Sequence, residues 1–259
     1  MKKPNIGPLP LLILGLGGLG LALRVWLFAA AEDGSGLLKA GHPAAVLIWA
    51  VTAAALALLL WQTRHLDKKP HRGRLFPRSL PAAVGCWLVA AGIAGSSLSV
   101  LAGGSDAVGI LTGVLGLLSV PALIPAGLCR MKGKRPSFLL YLLPCLYLTA
   151  RLFYQYRHWS ANPQLQSFCF QLLACVALAL ASYQRAAYEV RLGNHRAMTF
   201  WSLAAVYFCC LSLSGGSEPL FYLAAGAWAL TALCPASRPE PAAQEPPAVP
   251  QPPEEGAAS

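Results

Sequence analysis

Two arginines stand inside long apolar stretches of the chain, where a charged side chain is costly and usually has a function. They are Arg24 and Arg151. Helical spacing places Arg151 on one stripe with the polar and aromatic residues that follow it, and Gln171 enters the next apolar stretch at a similar depth. A guanidinium group suits planar anions such as carboxylate or phosphate. The candidate ligand-binding set is Arg24, Arg151, Tyr154, Gln155, His158 and Gln171.

A structural role for the two arginines is the alternative hypothesis. A long arginine side chain can reach lipid headgroups from within an apolar stretch. Each arginine also has candidate polar partners. They are Glu32 or Asp33 for Arg24, and Gln171 or Glu218 for Arg151. If both arginines face lipid, the binding hypothesis is excluded.

A glycine motif in the first apolar stretch, Gly15–Gly20, matches the G-x-G-x-x-G pattern of dinucleotide sites. Such a site needs a strand before the motif and an acidic residue about 20 positions later. Here one unbroken apolar run continues through the motif, and Glu32 comes too early. We therefore interpret these glycines as positions where helices pack closely.

Motifs for catalysis, metal binding or cofactor binding are missing from the sequence. No G-x-S-x-G elbow is present, and the eight cysteines form neither a C-x-x-C pair nor a Cys–His spacing suited to zinc. No acidic residue lies within an apolar stretch, which argues against a simple proton-coupled transporter. We expect no enzyme activity, no catalytic residue, no metal ligand and no cofactor.

The elements that must position the candidate residues are transmembrane helices. The chain of 259 residues is 56% hydrophobic and 12% charged, whereas soluble domains carry about 25% charged residues. Its apolar stretches are mostly long enough to cross a bilayer core of about 30 Å. They are Leu9–Ala31, Ala44–Gln62, Leu80–Ala102, Ala107–Leu128, Ser137–Tyr156, Leu165–Tyr183, Ala197–Leu213 and Pro219–Cys234. The sequence predicts an all-α fold, a polytopic bundle of about eight spans.

The basic residues determine the orientation of these spans. The net charge of +10 comes from lysines and arginines in short segments between apolar stretches, which is the positive-inside pattern and not that of a nucleic-acid surface. We expect a cell-membrane protein with both termini in the cytoplasm, and only Lys39 and Arg157 in external loops. The basic loop Thr63–Ser79 should attract anionic lipid, at about 1 kcal/mol per basic residue; the alternative is that it only fixes the orientation of the spans.

The two halves of the chain share short motifs in the same order. The matching segments are Leu21–Arg24 with Leu148–Arg151, and Gly103–Asp106 with Gly215–Glu218. Chance similarity between apolar segments is the alternative to a duplication. We favour two tandem four-span units, residues 1–133 and 134–235, in the same orientation. Residues 236–259 are rich in Pro and Glu, which predicts a disordered cytoplasmic tail.

Segments of the second half resemble a group of uncharacterised multi-pass bacterial membrane proteins. The segments are Tyr141–Leu146, Arg151–Trp159, Cys169–Leu173 and Gly215–Leu220. The resemblance implies a membrane location and no assigned activity.

Two classes of function fit the sequence. One is binding or transport of a polar or anionic small molecule through an outward-facing pocket. The other is a non-catalytic scaffold or sensor that acts through a protein partner or as a homo-oligomer. The inner halves of the first and fifth stretches, Leu9–Leu19 and Phe138–Leu148, are almost entirely apolar. This favours binding or scaffolding over transport.

Overall fold

The computed structural model describes residues 9–31, 42–66, 79–103, 106–134, 136–160, 165–190, 192–215 and 218–233. These residues form helices and their connections, without a strand among them. The helices are α1 (Leu9–Ala31), α2 (Pro43–Arg64), α3 (Leu80–Ala102), α4 (Ala107–Lys132), α5 (Leu139–Trp159), α6 (Leu165–Glu189), α7 (His195–Ser212) and α8 (Pro219–Thr231). The predicted tail and most of the basic loop lie outside the described residues.

Five of these helices are long and apolar enough to cross a membrane: α1 to α4 and the Phe168–Glu189 portion of α6. Many of their large apolar side chains are exposed, for example Leu11 and Trp61. A water-soluble fold would bury such side chains, whereas a bilayer accepts them. The α-helical membrane character is therefore clear. Helices α5 and α7 are not among these five, and α8 is apolar but shorter, so eight crossings remain a prediction.

Six helices form a closed ring in chain order. Each helix from α3 to α8 packs against the next, and α8 returns to pack against α3. Helices α1 and α2 pair with each other and lie on the outside of the ring against α7. A hydrogen bond of 3.0 Å between the Thr52 and Tyr207 hydroxyl groups joins α2 to α7.

Apolar side chains fill the middle of the ring. A cavity of only about 10 Å³ remains there, at the lower limit of the space that one water molecule needs. On α8 its lining is the stripe Phe221, Ala225 and Trp228, and Pro144 of α5 lies among the facing residues. The polar groups at the two ends of the ring are therefore separated by a closed apolar layer.

Glycines allow α1 to approach the ring closely. A Cβ atom built at Gly17 would lie 3.0 Å from the Cβ atom of Cys210, and one at Gly20 would lie 2.7 Å from Leu211 Cδ1. The motif lies within a continuous helix whose Gly17 and Gly20 pack on α7. The interpretation of these two glycines as packing positions is confirmed. A Cβ atom at Gly15 or Gly18 would meet nothing within 4 Å.

The tandem division of the chain remains a prediction. The described part of the Gly-Gly-Ser-acid segments ends at Gly103 and Gly215 and resumes at Asp106 and Glu218, so their central residues lie outside it. Helices α1 and α2 lie outside the ring, whereas α5 and α6, their counterparts in such a division, belong to it.

Candidate functional site

Arg151 is the centre of a buried polar cluster at the end of the ring where α3 and α5 end and α8 begins. Its side chain is only 3% exposed. Atom Nη1 donates to Ser96 Oγ and, at 3.1 Å, to the Tyr147 hydroxyl. Atom Nη2 donates to Glu218 Oε2 at 2.8 Å. One guanidinium thus joins α3, α5 and α8, and its charge is balanced by a carboxylate.

Aromatic rings complete the surroundings of this guanidinium. Its central carbon lies 4.1 Å from the centroid of the Phe221 ring and 5.9 Å from that of Tyr222. Cation–π attraction adds to the ion pair, and the rings exclude water from the guanidinium. A buried charge with a carboxylate and several hydrogen-bond partners is the arrangement in which an arginine is tolerated within a membrane.

A cavity of about 730 Å³ lies at this end of the ring; we call it the polar cavity. Four of the six predicted site residues line it: Arg151, Tyr154, Gln155 and His158. The other lining residues include Ser99, Gly103, Asp106, Arg157, Trp159, Phe168 and Glu218. These residues come from the C-terminal parts of α3 and α5, from the N-terminal part of α6, and from the residues that cap α3, α4 and α8. The helical stripe predicted on α5 thus faces a common space.

Gln155 ties the wall of the polar cavity to the helices behind it. Its Nε2 donates to the Tyr222 hydroxyl at 3.1 Å, and its Oε1 accepts from Cys175 Sγ at 3.3 Å. Tyr154 and His158, one turn apart on the same helix, stack with their ring centroids 6.0 Å apart. The wall of α5 is therefore held by a fixed network behind the cavity and presents aromatic rings toward it.

A second ion pair stands at the rim of the polar cavity. Arg157 Nη2 lies 3.4 Å from Asp106 Oδ2, and the two side chains are 68% and 48% exposed. Asp106 also caps α4, because its Oδ1 accepts the backbone N–H of Gly109 at 3.1 Å. Water screens an exposed pair, so the Arg157–Asp106 contact contributes little to stability.

Arg24 and Gln171 do not line the polar cavity. Arg24 is 1% exposed between helices: its Nη1 donates to the backbone oxygen of Leu211 on α7 at 2.7 Å. Its guanidinium also lies over the Phe170 ring of α6, 5.3 Å from the centroid. Gln171 is equally buried. Neither predicted arginine faces lipid, but the structure does not bring the two guanidinium groups into one pocket.

Two further buried arginines lie at the opposite end of the bundle, which we call the basic end. The sequence assigned Arg130 and Arg185 to cytoplasmic loops, whereas both lie within helices and are nearly inaccessible. Arg130 Nε donates to the Tyr141 hydroxyl at 3.2 Å. Arg185 lies 4.1 Å over the Trp228 ring, and its Nη2 lies 3.5 Å from Ser202 Oγ. The sequence signal for these two arginines is that the helical pattern continues past the end of each apolar stretch.

The polar cavity offers both signs of charge, hydroxyl groups and aromatic faces, which suits a polar solute. Among the described residues, no three His, Cys, Asp or Glu side chains come together as a metal site would require. Comparison with protein-family models, with curated proteins and with solved structures finds no match to this chain.

Proposed function

We propose that this multi-pass membrane protein binds a polar small molecule in the polar cavity. The observation that carries the proposal is the cavity itself, about 730 Å³ in volume and closed at its base by the Arg151–Glu218 ion pair. Ligand sites in proteins typically measure about 300–1,000 Å³ and combine apolar walls with a few placed polar groups. The polar cavity combines aromatic walls with a few placed charges in the same way.

The apolar layer below the cavity favours binding over transport. The stripe of Phe221, Ala225 and Trp228 separates Arg151 from the basic end, and the space beside it is about 10 Å³. A polar solute crossing this layer would lose its hydrogen bonds to water without replacement, at a cost of several kcal/mol. The proposed activity is therefore recognition of a solute from one side of the membrane.

The distribution of positive charge supports an orientation with the polar cavity outside the cell. Arg64, Arg130, Lys132 and Arg196 belong to helix ends at the basic end, and basic residues collect on the cytoplasmic side of membrane proteins. In this orientation all eight helices cross or enter the bilayer, both termini are cytoplasmic, and the basic end lies near anionic lipid headgroups.

Thermal unfolding with a panel of polar solutes tests the proposal. A ligand that binds only the folded state stabilises it, by about 2.7 kcal/mol at one hundred times its dissociation constant. We expect at least one solute class among amines, amino acids, carboxylates and sugars to raise the melting temperature of the purified protein in lipid nanodiscs. The measurement is the shift in melting temperature as a function of solute concentration.

Two tryptophan variants, one at the C-cap of α3 and one within this helix, provide the control. Gly103→Trp places a large ring in the polar cavity, and its backbone φ of −74° accepts any side chain. Gly95→Trp adds the same ring on an exposed face of the helix, where a Cβ atom meets nothing within 4 Å. The shift should persist in Gly95→Trp and disappear in Gly103→Trp. If no solute shifts the wild-type protein, small-molecule binding is rejected and a scaffold or sensor role gains support.

A further inference from the structure

The two partners of the buried ion pair are not equally accessible from the polar cavity. Arg151 is 3% exposed, and Nη1 and Nη2 are engaged by Ser96, Tyr147 and Glu218. The Glu218 side chain is 21% exposed. A solute that reaches the base of the cavity therefore meets the carboxylate, while the guanidinium lies behind it under the Phe221 ring.

Glu218 retains capacity to accept hydrogen bonds. Its Oε2 accepts from Arg151, and its Oε1 accepts from Ser99 Oγ at a long 3.4 Å. An ionised carboxylate offers about four acceptor positions on its two oxygens. An N–H donor of a ligand can therefore bind to Glu218 without breaking the ion pair that holds α5 to α8.

The walls of the polar cavity are aromatic on more than one helix. Trp159 of α5 and Phe168 of α6 stack with ring centroids 4.4 Å apart, and Tyr154 and His158 form a second stack. Aromatic faces attract ammonium groups through their quadrupoles, by about 0.5–1 kcal/mol at exposed sites and more where water is excluded. Aromatic cages recognise ammonium ligands in this way, and a carboxylate beside the rings adds an ion pair.

The remaining charges of the cavity do not favour an anion. Asp106 adds a second carboxylate at the rim, and the cation beside it, Arg157, is mostly exposed to solvent. An anionic ligand placed at the base would lie against Glu218 and could gain only a screened contact with Arg157. Of the polar and anionic ligands that the sequence left open, the geometry therefore disfavours the anionic ones.

The geometry points to a ligand that carries a protonated amine, with the ammonium group at Glu218 and an apolar portion against the aromatic walls. This inference rests on the proposed function, since it names the ligand class of the same cavity. It assigns Glu218 as the residue that binds the ammonium group, Asp106 as the rim carboxylate that offsets the charge of Arg157, and Tyr154, Trp159 and Phe168 as those that bind the apolar portion. Arg151 is a positioning residue that holds the Glu218 carboxylate in place.

Three probes of similar shape and different charge test the inference: 2-phenylethylammonium, neutral 2-phenylethanol and anionic 3-phenylpropionate. Each is titrated at pH 7 to the full chain in nanodiscs of zwitterionic lipid, with binding followed by saturation-transfer NMR. We expect the ammonium probe to bind at least about tenfold more tightly than the other two. Gly103→Trp should abolish this binding, which separates the cavity from adsorption to lipid, and Gly95→Trp should leave it unchanged.

The variant Asp106→Asn keeps the fold while lowering the negative charge at the rim. Its side chain can still cap α4, because asparagine is as good a helix cap as aspartate. We expect the affinity for the ammonium probe to fall several-fold and the affinity for 3-phenylpropionate to rise or stay the same.

Equal or tighter binding of 3-phenylpropionate to the wild-type protein would overturn the inference and leave the proposed function standing. Failure of all three probes, with a solute of another class active in the thermal panel, would also overturn the inference alone. Failure of every probe and every panel solute would reject both.

Discussion

The substitution Arg151→Met is expected to lower the unfolding free energy of the protein by roughly 3 kcal/mol, because it leaves the Glu218 carboxylate without its partner. Breaking a buried ion pair costs about 3–5 kcal/mol, and the partial exposure of Glu218 places this pair at the lower end of the range. Ser96 and Tyr147 would lose their hydrogen bonds to the guanidinium as well. Reversible unfolding in bicelles, followed by circular dichroism, measures the change.

A double-mutant cycle separates the ion pair from the general loss of packing. Glu218→Gln alone should also destabilise the fold, and the double variant should lose clearly less than the sum of the two single changes. Arg157→Met is the matched control, because Arg157 pairs with Asp106 in solvent and such pairs contribute about 0–1 kcal/mol. Equal losses from Arg151→Met and Arg157→Met would contradict the central role of the buried pair.

Replacement of a buried arginine by methionine at the basic end should stabilise the protein. Arg185→Met is expected to raise the unfolding free energy by about 1–3 kcal/mol, because replacing a buried charge with an apolar side chain removes its desolvation cost. In the described part of the chain, Arg185 contacts the Trp228 ring and Ser202, but no carboxylate. Methionine is unbranched and adaptable, so it can pack against Trp228.

The same unfolding assay measures this variant. Arg185→Lys is its control, since lysine keeps the charge but loses the planar stacking over Trp228, and it should be less stable than the wild-type protein. A loss of stability in Arg185→Met comparable with that of Arg151→Met would show that the Arg185 guanidinium is stabilised by its surroundings. The expected gain would show that the chain keeps this charge at a cost to its stability, which is typical of residues retained for a function.

Helical periodicity was sufficient to predict one wall of the polar cavity. The spacing of Arg151, Tyr154, Gln155 and His158 put them on one face of a helix, and the structure places all four at the same cavity. The pairing of Arg151 with Glu218 was one of the alternatives that the sequence left open. The stripe follows from helical spacing alone, whereas the choice of Glu218 as the partner depends on which helices are neighbours.

Position around the bundle could not be predicted in the same way. Arg24 and Arg151 lie at similar distances from the ends of their helices, but α1 packs outside the ring, and the Arg24 guanidinium binds α7 and α6 instead of lining the cavity. Hydropathy contains no information on which helices are neighbours. Whether two residues line the same cavity therefore depends more on which helices are neighbours than on the position of each residue along its helix.

Helix length explains why the buried arginines of the basic end were missed. The fourth and sixth apolar stretches end at Leu128 and Tyr183, and a charge just beyond an apolar stretch was assigned to a loop. The helices continue to Lys132 and Glu189, which carries Arg130 and Arg185 into the bundle. The ends of α1 and α3, by contrast, coincide with the predicted bounds.

Thiol labelling of intact cells tests most directly whether the polar cavity is filled with water and open to the outside. In a background without native cysteines, Tyr154→Cys reports on the cavity, Gln171→Cys on the buried interior and Lys132→Cys on the basic end. We predict that a membrane-impermeant thiol reagent added outside labels Tyr154→Cys rapidly and leaves Gln171→Cys unlabelled. Lys132→Cys should react only after the cells are permeabilised. Protection of Tyr154→Cys together with labelling of Lys132→Cys from outside would contradict the proposed orientation, and protection of Tyr154→Cys in permeabilised cells as well would contradict an open cavity.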